Sequence, residues 1–474
     1  MTLKITCMTT SESTRPELLD TLRETVQAGL PAAIAELSQL VRIPSVSWAA
    51  FDEQHVVDSA AAVEKLVREL DVFDHIEVSR ASVGDTDALG KPAVLATRAA
   101  RNGRPTILLY AHHDVQPQGS DDDWESPPFE PTLRAGRLYG RGAADDKAGV
   151  MAHIAAIRAL VATAGKDFDL GLALFIEGEE ESGSLSFKNF LLKHQEQLAS
   201  DIIVVADSDN WDVDTPAITV ALRGNVAFQL EVRTLAHASH SGMFGGAAPD
   251  AMLAAIKLLA TLHDDDGSVA VAGLTSTDMQ TPEFSDDQLR EDAGLLDGVT
   301  PIGRGSILSR LWAQPAITVT GVDAPSVANA SNTLLPMVRF RISVRIAPGQ
   351  SATEVRAAVE KHLQQNAPFG AHLTFSAYEM GDPFLVDTSG WAVAEAKTAM
   401  KDAWGAAAVE TGIGGSIPFI ADLVELFPQA QILVTGVEDP DSRAHSPNES
   451  LHLGVFHRAI LTEAVLLARL NERG

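Results

Sequence analysis

The sequence predicts an α/β fold in which one domain interrupts another, and three observations carry that prediction. Short apolar runs alternate with helix-period segments at both ends of the chain, the pattern of a largely parallel sheet covered by helices. The middle of the chain changes texture to half-exposed strands in the order β-α-β-β-α-β. At 474 residues the chain is also too long for one core, since single cores seldom grow past roughly 250–300 residues.

Taken in order, residues 16–42 read as helical. Pro16 suits a first helical turn, and Ile34, Leu37, Leu40 and Val41 share one face. The segment LVRIPSVS breaks at Pro44 into an extended loop, and a helix over about 58–70 follows. Strands are expected at 106–111, 172–176 and 202–206, with an Ala-rich helix at 147–164 between the first two. After Gly224 come a strand at 225–233, an amphipathic helix at 250–262 and strands at 317–320 and 338–346. A helix at 352–364 and a strand at 372–377 complete that unit, and the polar stretch 264–305 reads as loop or connecting helices within it. The first texture then returns with a helix at 391–404, a Gly-rich loop, a strand at 431–434 and a final helix from about Gly454. The expected division is 1–215 and 387–474 for a discontinuous first domain, and 216–386 for a ferredoxin-like α+β domain inserted into it.

Composition narrows the function classes. A net charge of −28 leaves no basic face for nucleic acid or an anionic membrane. The single Cys7 excludes an intrachain disulfide and a Cys-based zinc site, so any metal must be held by His and carboxylates. The first residues lack an apolar stretch of signal-peptide length, and no later run reaches the ~18 consecutive apolar residues of a membrane span. The expected location is the cytoplasm.

The chain converges on LGLALFIEGEEESG, Leu170–Gly183, an apolar strand that stops in Glu177, Glu179, Glu180 and Glu181. Open α/β sheets place ligand sites beyond such strand ends, and adjacent acids there repel one another without a cation. The strand at 106–111 likewise runs into His112-His113-Asp114, where residues i and i+2 point the same way and Asp114 can orient the ring of His112. Asp145 and Asp146 open the Ala-rich helix, where either could equally be its N-cap. Asp207 sits just past the strand at 202–206, and His445 follows the one at 431–434. Two His, two Asp and a Glu, without Cys, match a pair of divalent metals bound through oxygen and nitrogen.

Nine blocks, in order, complete a resemblance: LVRIPSVS, YAHHDVQP, GRGAADDKAG, EGEEESGS, ADSDNW, HSGMFGG, SVRIAPGQ, GGSIP and AHSPNE. The chain closely resembles the di-zinc metallopeptidase family of carnosinases, bacterial dipeptidases and the acetylornithine and succinyl-diaminopimelate deacylases, nearest the dipeptidase and carnosinase branch. The resemblance implies a metal-binding catalytic domain and an inserted lid and dimerisation domain. It implies two divalent ions per subunit, zinc first and manganese or cobalt as alternatives, sharing a bridging hydroxide. His112 and Asp207 correspond to ligands of one metal, Glu181 and His445 to ligands of the other, and Asp145 to the carboxylate bridging both. Asp114 corresponds to the acid behind His112, Glu180 to the general base and His240 to the histidine that polarises the scissile carbonyl. Arg345, Asn332, Gly415 and Ser416 match positions that receive the substrate's C-terminal carboxylate, and the Asp145–Asp146 peptide bond is expected to be cis.

ADSDNW offers both Asp207 and Asp209; Asp207 is preferred because Pro216 follows it at the dipeptidases' spacing. His113 stands where many relatives carry an apolar or small residue. The expected function is metal-dependent hydrolysis of dipeptides or small peptides with a free N-terminus, by a homodimer with no nucleic-acid or membrane partner. An N-acyl-amino-acid deacylase is the alternative, and Asp rather than Glu at 207 argues against it. An inactive binding paralogue is more remote, because every ligand position and the base are present.

Overall fold

The computed structural model describes residues 13–277, 279, 281–414 and 418–473. These form two compact units. One holds the described residues up to Val220, Val386–Thr411 and those from Asp422 onward; the other holds those of 221–385 and 412–421.

Four parallel strands make the centre of the first unit, in the spatial order Gly171–Glu177, Thr106–His112, Ile202–Val205 and Gln431–Val434. Every residue of Gly171–Glu177 is buried, as a parallel strand covered on both faces requires. Antiparallel strands finish the edges: Ala93–Arg98 and His75–Ser79 on one side, Ala217–Leu222 on the other. In register, His112 lies opposite Glu177 and Tyr110 opposite Val205. The central strands therefore end together, and the loops leaving them share one edge of the sheet.

The helix Lys147–Ala164 packs against Pro16–Val41 and Leu453–Glu472. Among the described residues it is the one helix long and apolar enough to cross a membrane, and most of it is buried inside this unit. The buried Lys147 fixes its start: Nζ donates to the carbonyls of Leu40 at 2.9 Å and Ile43 at 2.7 Å. Those carbonyls close the C-terminal end of Pro16–Val41, where a helix attracts a cation. Gly165, at φ +77°, ends the core helix and donates its N–H to Val161.

The second unit has an antiparallel sheet in the order Ala316–Asp323, Met337–Ile346, Gly224–Arg233 and His372–Gly381. Its core combines Phe228, Leu230, Val232, Phe340, Ile342 and Val344 of the strands with the buried faces of Ala251–Leu259 and Ala352–Gln365. Ser351 and Glu354 form a reciprocal capping box that starts the second of these helices. The chain order and strand order together are ferredoxin-like.

A three-stranded sheet of Thr132–Arg134, Arg137–Tyr139 and Ser450–His452 completes the first unit. From it, Arg137 donates two bonds to the buried Asp439 carboxylate, at 3.0 and 2.9 Å, and one to Ser450 Oγ at 2.8 Å. This pair ties the small sheet to the loop that carries His445. Arg137→Met leaves Asp439 buried without a counter-ion and should cost about 3–5 kcal/mol in chemical denaturation. The double variant Arg137→Met/Asp439→Leu should recover most of that loss. A cost for Arg137→Met below about 1 kcal/mol would place the pair with ordinary surface bridges.

Candidate metal centre

Two groups of side chains, both in the first unit, could each hold a metal ion: His112, Asp145 and Asp207 in one, Asp145, Glu181 and His445 in the other. Asp145 belongs to both. Its Oδ1 lies 3.1 Å from His112 Nε2, and its Oδ2 lies 2.9 Å from His445 Nε2. Asp207 Oδ1 is 3.9 Å from His112 Nε2, and Glu181 Oε2 is 3.3 Å from His445 Nε2. His112 ends a central strand, Glu181, Asp207 and His445 follow three others, and Asp145 opens the helix Lys147–Ala164; they come together because the central strands end in register.

His112 is wholly buried, and its Nε2 makes no hydrogen bond despite the two nearby carboxylates. A buried ring nitrogen facing acid oxygens outside bonding geometry fits a site meant for a cation. The acids support the same reading. Burial, the largest cause, pushes Asp207 up to about 6 and Glu181 up to about 7, and neighbouring carboxylates add to both shifts. His445 moves up to about 11, through its contacts with Asp145 and then Glu181. The site therefore has an excess of buried negative charge that divalent cations would balance.

Asp114 organises the surroundings. Its carboxylate lies 3.3 Å from His112 Nδ1 and accepts the backbone N–H groups of Glu180 at 3.2 Å and Glu181 at 3.1 Å. One buried acid thus orients a histidine and both residues of the acid pair. Glu180 belongs to neither donor group, and burial raises its carboxyl well above the ordinary range. The Asp145–Asp146 peptide bond is cis. Asp146 turns away from both groups and accepts the backbone N–H of His112 at 3.1 Å. Gly149 makes room for it, since a Cβ there would sit 2.2 Å from Asp146 Oδ1 and 2.6 Å from the Ala206 carbonyl.

Three contributors escaped the sequence reading. Glu449, fully buried, accepts Arg141 Nη1 at 2.6 Å and the N–H groups of Gly142, Ala144 and Asp145 at 3.0–3.1 Å. It fixes the loop that presents Asp145, and its presence in the AHSPNE block was the available signal. Gln116 holds Glu181 through its backbone N–H at 3.1 Å and its Nε2 at 2.7 Å. Glu438 lies beside Asp209 across a parallel bridge, and burial pushes the Asp209 carboxyl up to about 6. Asp207, not Asp209, is the member of ADSDNW in a donor group. His113 points elsewhere: its Nε2 bonds the Pro92 carbonyl at 2.9 Å, and burial lowers it to about 4.

His240, Asn332 and Arg345 belong to the second unit. A short ladder pairs Ser239–His240 with Thr333–Leu334, and the Ser241 N–H donates to the Asn332 carbonyl at 2.9 Å, so His240 and Asn332 are neighbours. Arg345 lies on Met337–Ile346, paired with Asn225 and Ala316. Gly415 and Ser416 lie outside the described residues.

The sequence pattern of Peptidase family M20/M25/M40 matches residues 108–469. The cysteinylglycine-S-conjugate dipeptidase of Corynebacterium striatum is 36% identical over 368 residues, covering 77% of this chain and 80% of that protein. The Cys-Gly metallodipeptidase DUG1 of Saccharomyces cerevisiae is 27% identical, covering 93% of this chain and 96% of that one. Among solved structures, human carnosine dipeptidase 1 shares the fold with a TM-score of 0.76 at 23% identity, across 98% of this chain and 100% of that one. Pattern, relatives and donor groups converge: the chain belongs to peptidase family M20/M25/M40 and is a metal-dependent hydrolase of peptide bonds.

Proposed function

We propose that this enzyme cleaves dipeptides and small peptides carrying a free N-terminus, with two divalent cations per subunit, zinc first and manganese or cobalt as alternatives. The observation that carries the reading is Asp145, which offers one oxygen to each donor group. His112, Asp145 and Asp207 would hold one cation, and Asp145, Glu181 and His445 the other. The chemistry such cations would supply there is a lowered pKa for a water and polarisation of the scissile carbonyl. Glu180, outside both groups, takes the proton from the attacking water and delivers it to the leaving amine. Asp114 keeps Glu180 in place through its backbone N–H.

The names of the relatives support the dipeptide class, cysteinylglycine conjugates for one and Cys-Gly for the other. Burial raises Asp207 and Glu438 most, and beyond it Asp209 raises Asp207 and both aspartates raise Glu438, an acidic surrounding that suits a substrate's α-amine. In this reading Arg345, Asn332, Gly415 and Ser416 receive the C-terminal carboxylate, and His240 polarises the carbonyl in the site of a partner subunit. The second unit has a surface that supports a homodimer. Val327 is 96% exposed, and Val319 and Val322 are also exposed on Ala316–Asp323. That strand is an edge, paired only with Met337–Ile346 among the described residues. Exposed apolar side chains beside an open edge suit a symmetric partner.

Three outcomes test the proposal. Glu180→Gln should keep both metals, by elemental analysis, yet lose about 10²–10⁴-fold in turnover. Loss of metal from Glu180→Gln but not from Glu181→Gln would reverse the two roles. N-acetylation of a dipeptide should reduce kcat/KM more than changing its first side chain; equal cleavage of acetylated and free dipeptides would move the enzyme to the deacylases. For the dimer, His240→Ala and Glu180→Ala chains are mixed under conditions of verified subunit exchange. With His240 acting across the interface, each heterodimer has one intact site, and an equal random mixture should recover about a quarter of wild-type activity. Verified exchange without recovery rejects the trans role.

A further inference from the structure

The second unit contains a cavity of about 860 Å³, lined wholly by its own residues. Its volume falls within the roughly 300–1,000 Å³ of small-molecule sites. Part of the lining comes from the strand end Ala316, Ile317 and Thr318, and part from residues of 289–305, which begins within the short helix Asp286–Ala293. Aliphatic side chains dominate the lining, among them Val271, Leu274, Leu289, Leu295, Ile307 and Ile317.

The charged part of the lining has one sign. The chain has 64 acidic and 36 basic residues. Yet the lining includes Arg223, Arg304 and Arg310 and no Asp or Glu. Arg304 is neutralised from outside the lining by Asp264 and Asp266. Arg223 and Arg310 are not. Arg223, 8% exposed, donates to the carbonyls of Gly414 at 3.2 Å and of Arg310 and Gln314 at 3.4 Å. Arg310 donates to the carbonyls of Ile302 at 2.7 Å and Ser306 at 3.4 Å. Among the described residues, no carboxylate pairs with either. Burial, and then the charge of Arg345, lowers Arg223 to about 10, the direction expected of a guanidinium held without an anion.

We propose that this cavity is a binding site for a medium- or long-chain aliphatic monocarboxylate, its head group on Arg223 and Arg310 and its chain against the aliphatic lining. A guanidinium carrying only backbone acceptors can still receive a carboxylate, and such charge-assisted bonds are about twice as strong as neutral ones. An uncharged chain would leave the two cations unanswered, and a small dianion would leave the aliphatic wall empty. This goes beyond the peptidase reading, since no lining residue belongs to either metal donor group.

The test uses dodecanoate below its critical micelle concentration, with dodecanol, dodecyltrimethylammonium and acetate as controls. Binding to the full-length, metal-loaded enzyme is followed by calorimetry. Dodecanoate should bind at one site per chain, and each control at least tenfold more weakly. Arg310→Gln should weaken dodecanoate about tenfold or more. Leu295→Trp, which fills the cavity from its loop wall, should abolish binding. Both variants should keep wild-type metal content and peptidase activity, which also establishes that they fold. Absence of saturable binding, equal binding of dodecyltrimethylammonium, or unchanged affinity in both variants overturns the proposal. Displacement of dodecanoate by subunit association in sedimentation experiments would assign the cavity to a second copy of the chain and overturn it equally. Because peptidase activity is measured separately on the same proteins, a failed binding result leaves the hydrolase reading intact.

Discussion

Buried negative charge is what the first unit is built to contain. Asp145, Glu181 and Asp207 face two histidines with Glu180 beside them, and burial with mutual repulsion raises Glu180, Glu181 and Asp207. A fold that relied on side-chain ion pairs alone to hold this charge would spread the acids apart. Here they are held through the backbone. Asp114 takes two consecutive N–H groups of the acid pair, and Glu449 takes three within four residues of the loop that ends at Asp145. Those carboxylates act as rigid anchors because peptide N–H groups cannot rotate away.

Much of this arrangement was legible in the sequence where local pattern and long-range packing agree. The helix at Lys147–Ala164 and the strand at Gln431–Val434 have apolar composition and clear boundaries, and they form over those residues. The parallel centre was readable because its strands are buried on both faces. The edges were less so. His75–Ser79 alternates weakly and is partly exposed, and Ala93–Arg98 is an apolar stretch with Pro92 immediately before it. Both become strands by pairing outward from Gly171–Glu177, a tertiary effect that propensity does not encode. The donors were legible for a simple reason: each follows a strand or opens a helix, where a side chain can leave the core.

Residues that act from a distance were harder to find. Glu449 reads as one more loop acid until closure of the fold brings it to a loop over 300 residues earlier in the chain. Glu438 and Asp209 have the same character, since each is an ordinary acid in a turn until a parallel bridge sets them side by side. The 264–305 segment, expected to be loop or connecting helices, forms a short helix and part of the lining of the aliphatic cavity, and the donation of Arg223 and Arg310 to backbone carbonyls there has no sequence signature.

The chain order of the first unit has a consequence for biosynthesis. His112, Asp145, Glu181 and Asp207 are all translated before the inserted unit, whereas Gln431–Val434, His445 and Glu449 come after it. Gln431–Val434 fits between Ile202–Val205 and Ala217–Leu222, so the sheet stays open until the segment beyond the inserted unit has left the ribosome. Four donors are then present without their fifth partner and without the anchor that sets Asp145. The inserted unit, whose strands and helices are contiguous apart from one late segment, can fold while the ribosome is still working. The half-made catalytic unit waits with an open strand gap, which makes that interval the one in which a holding chaperone matters most for this protein.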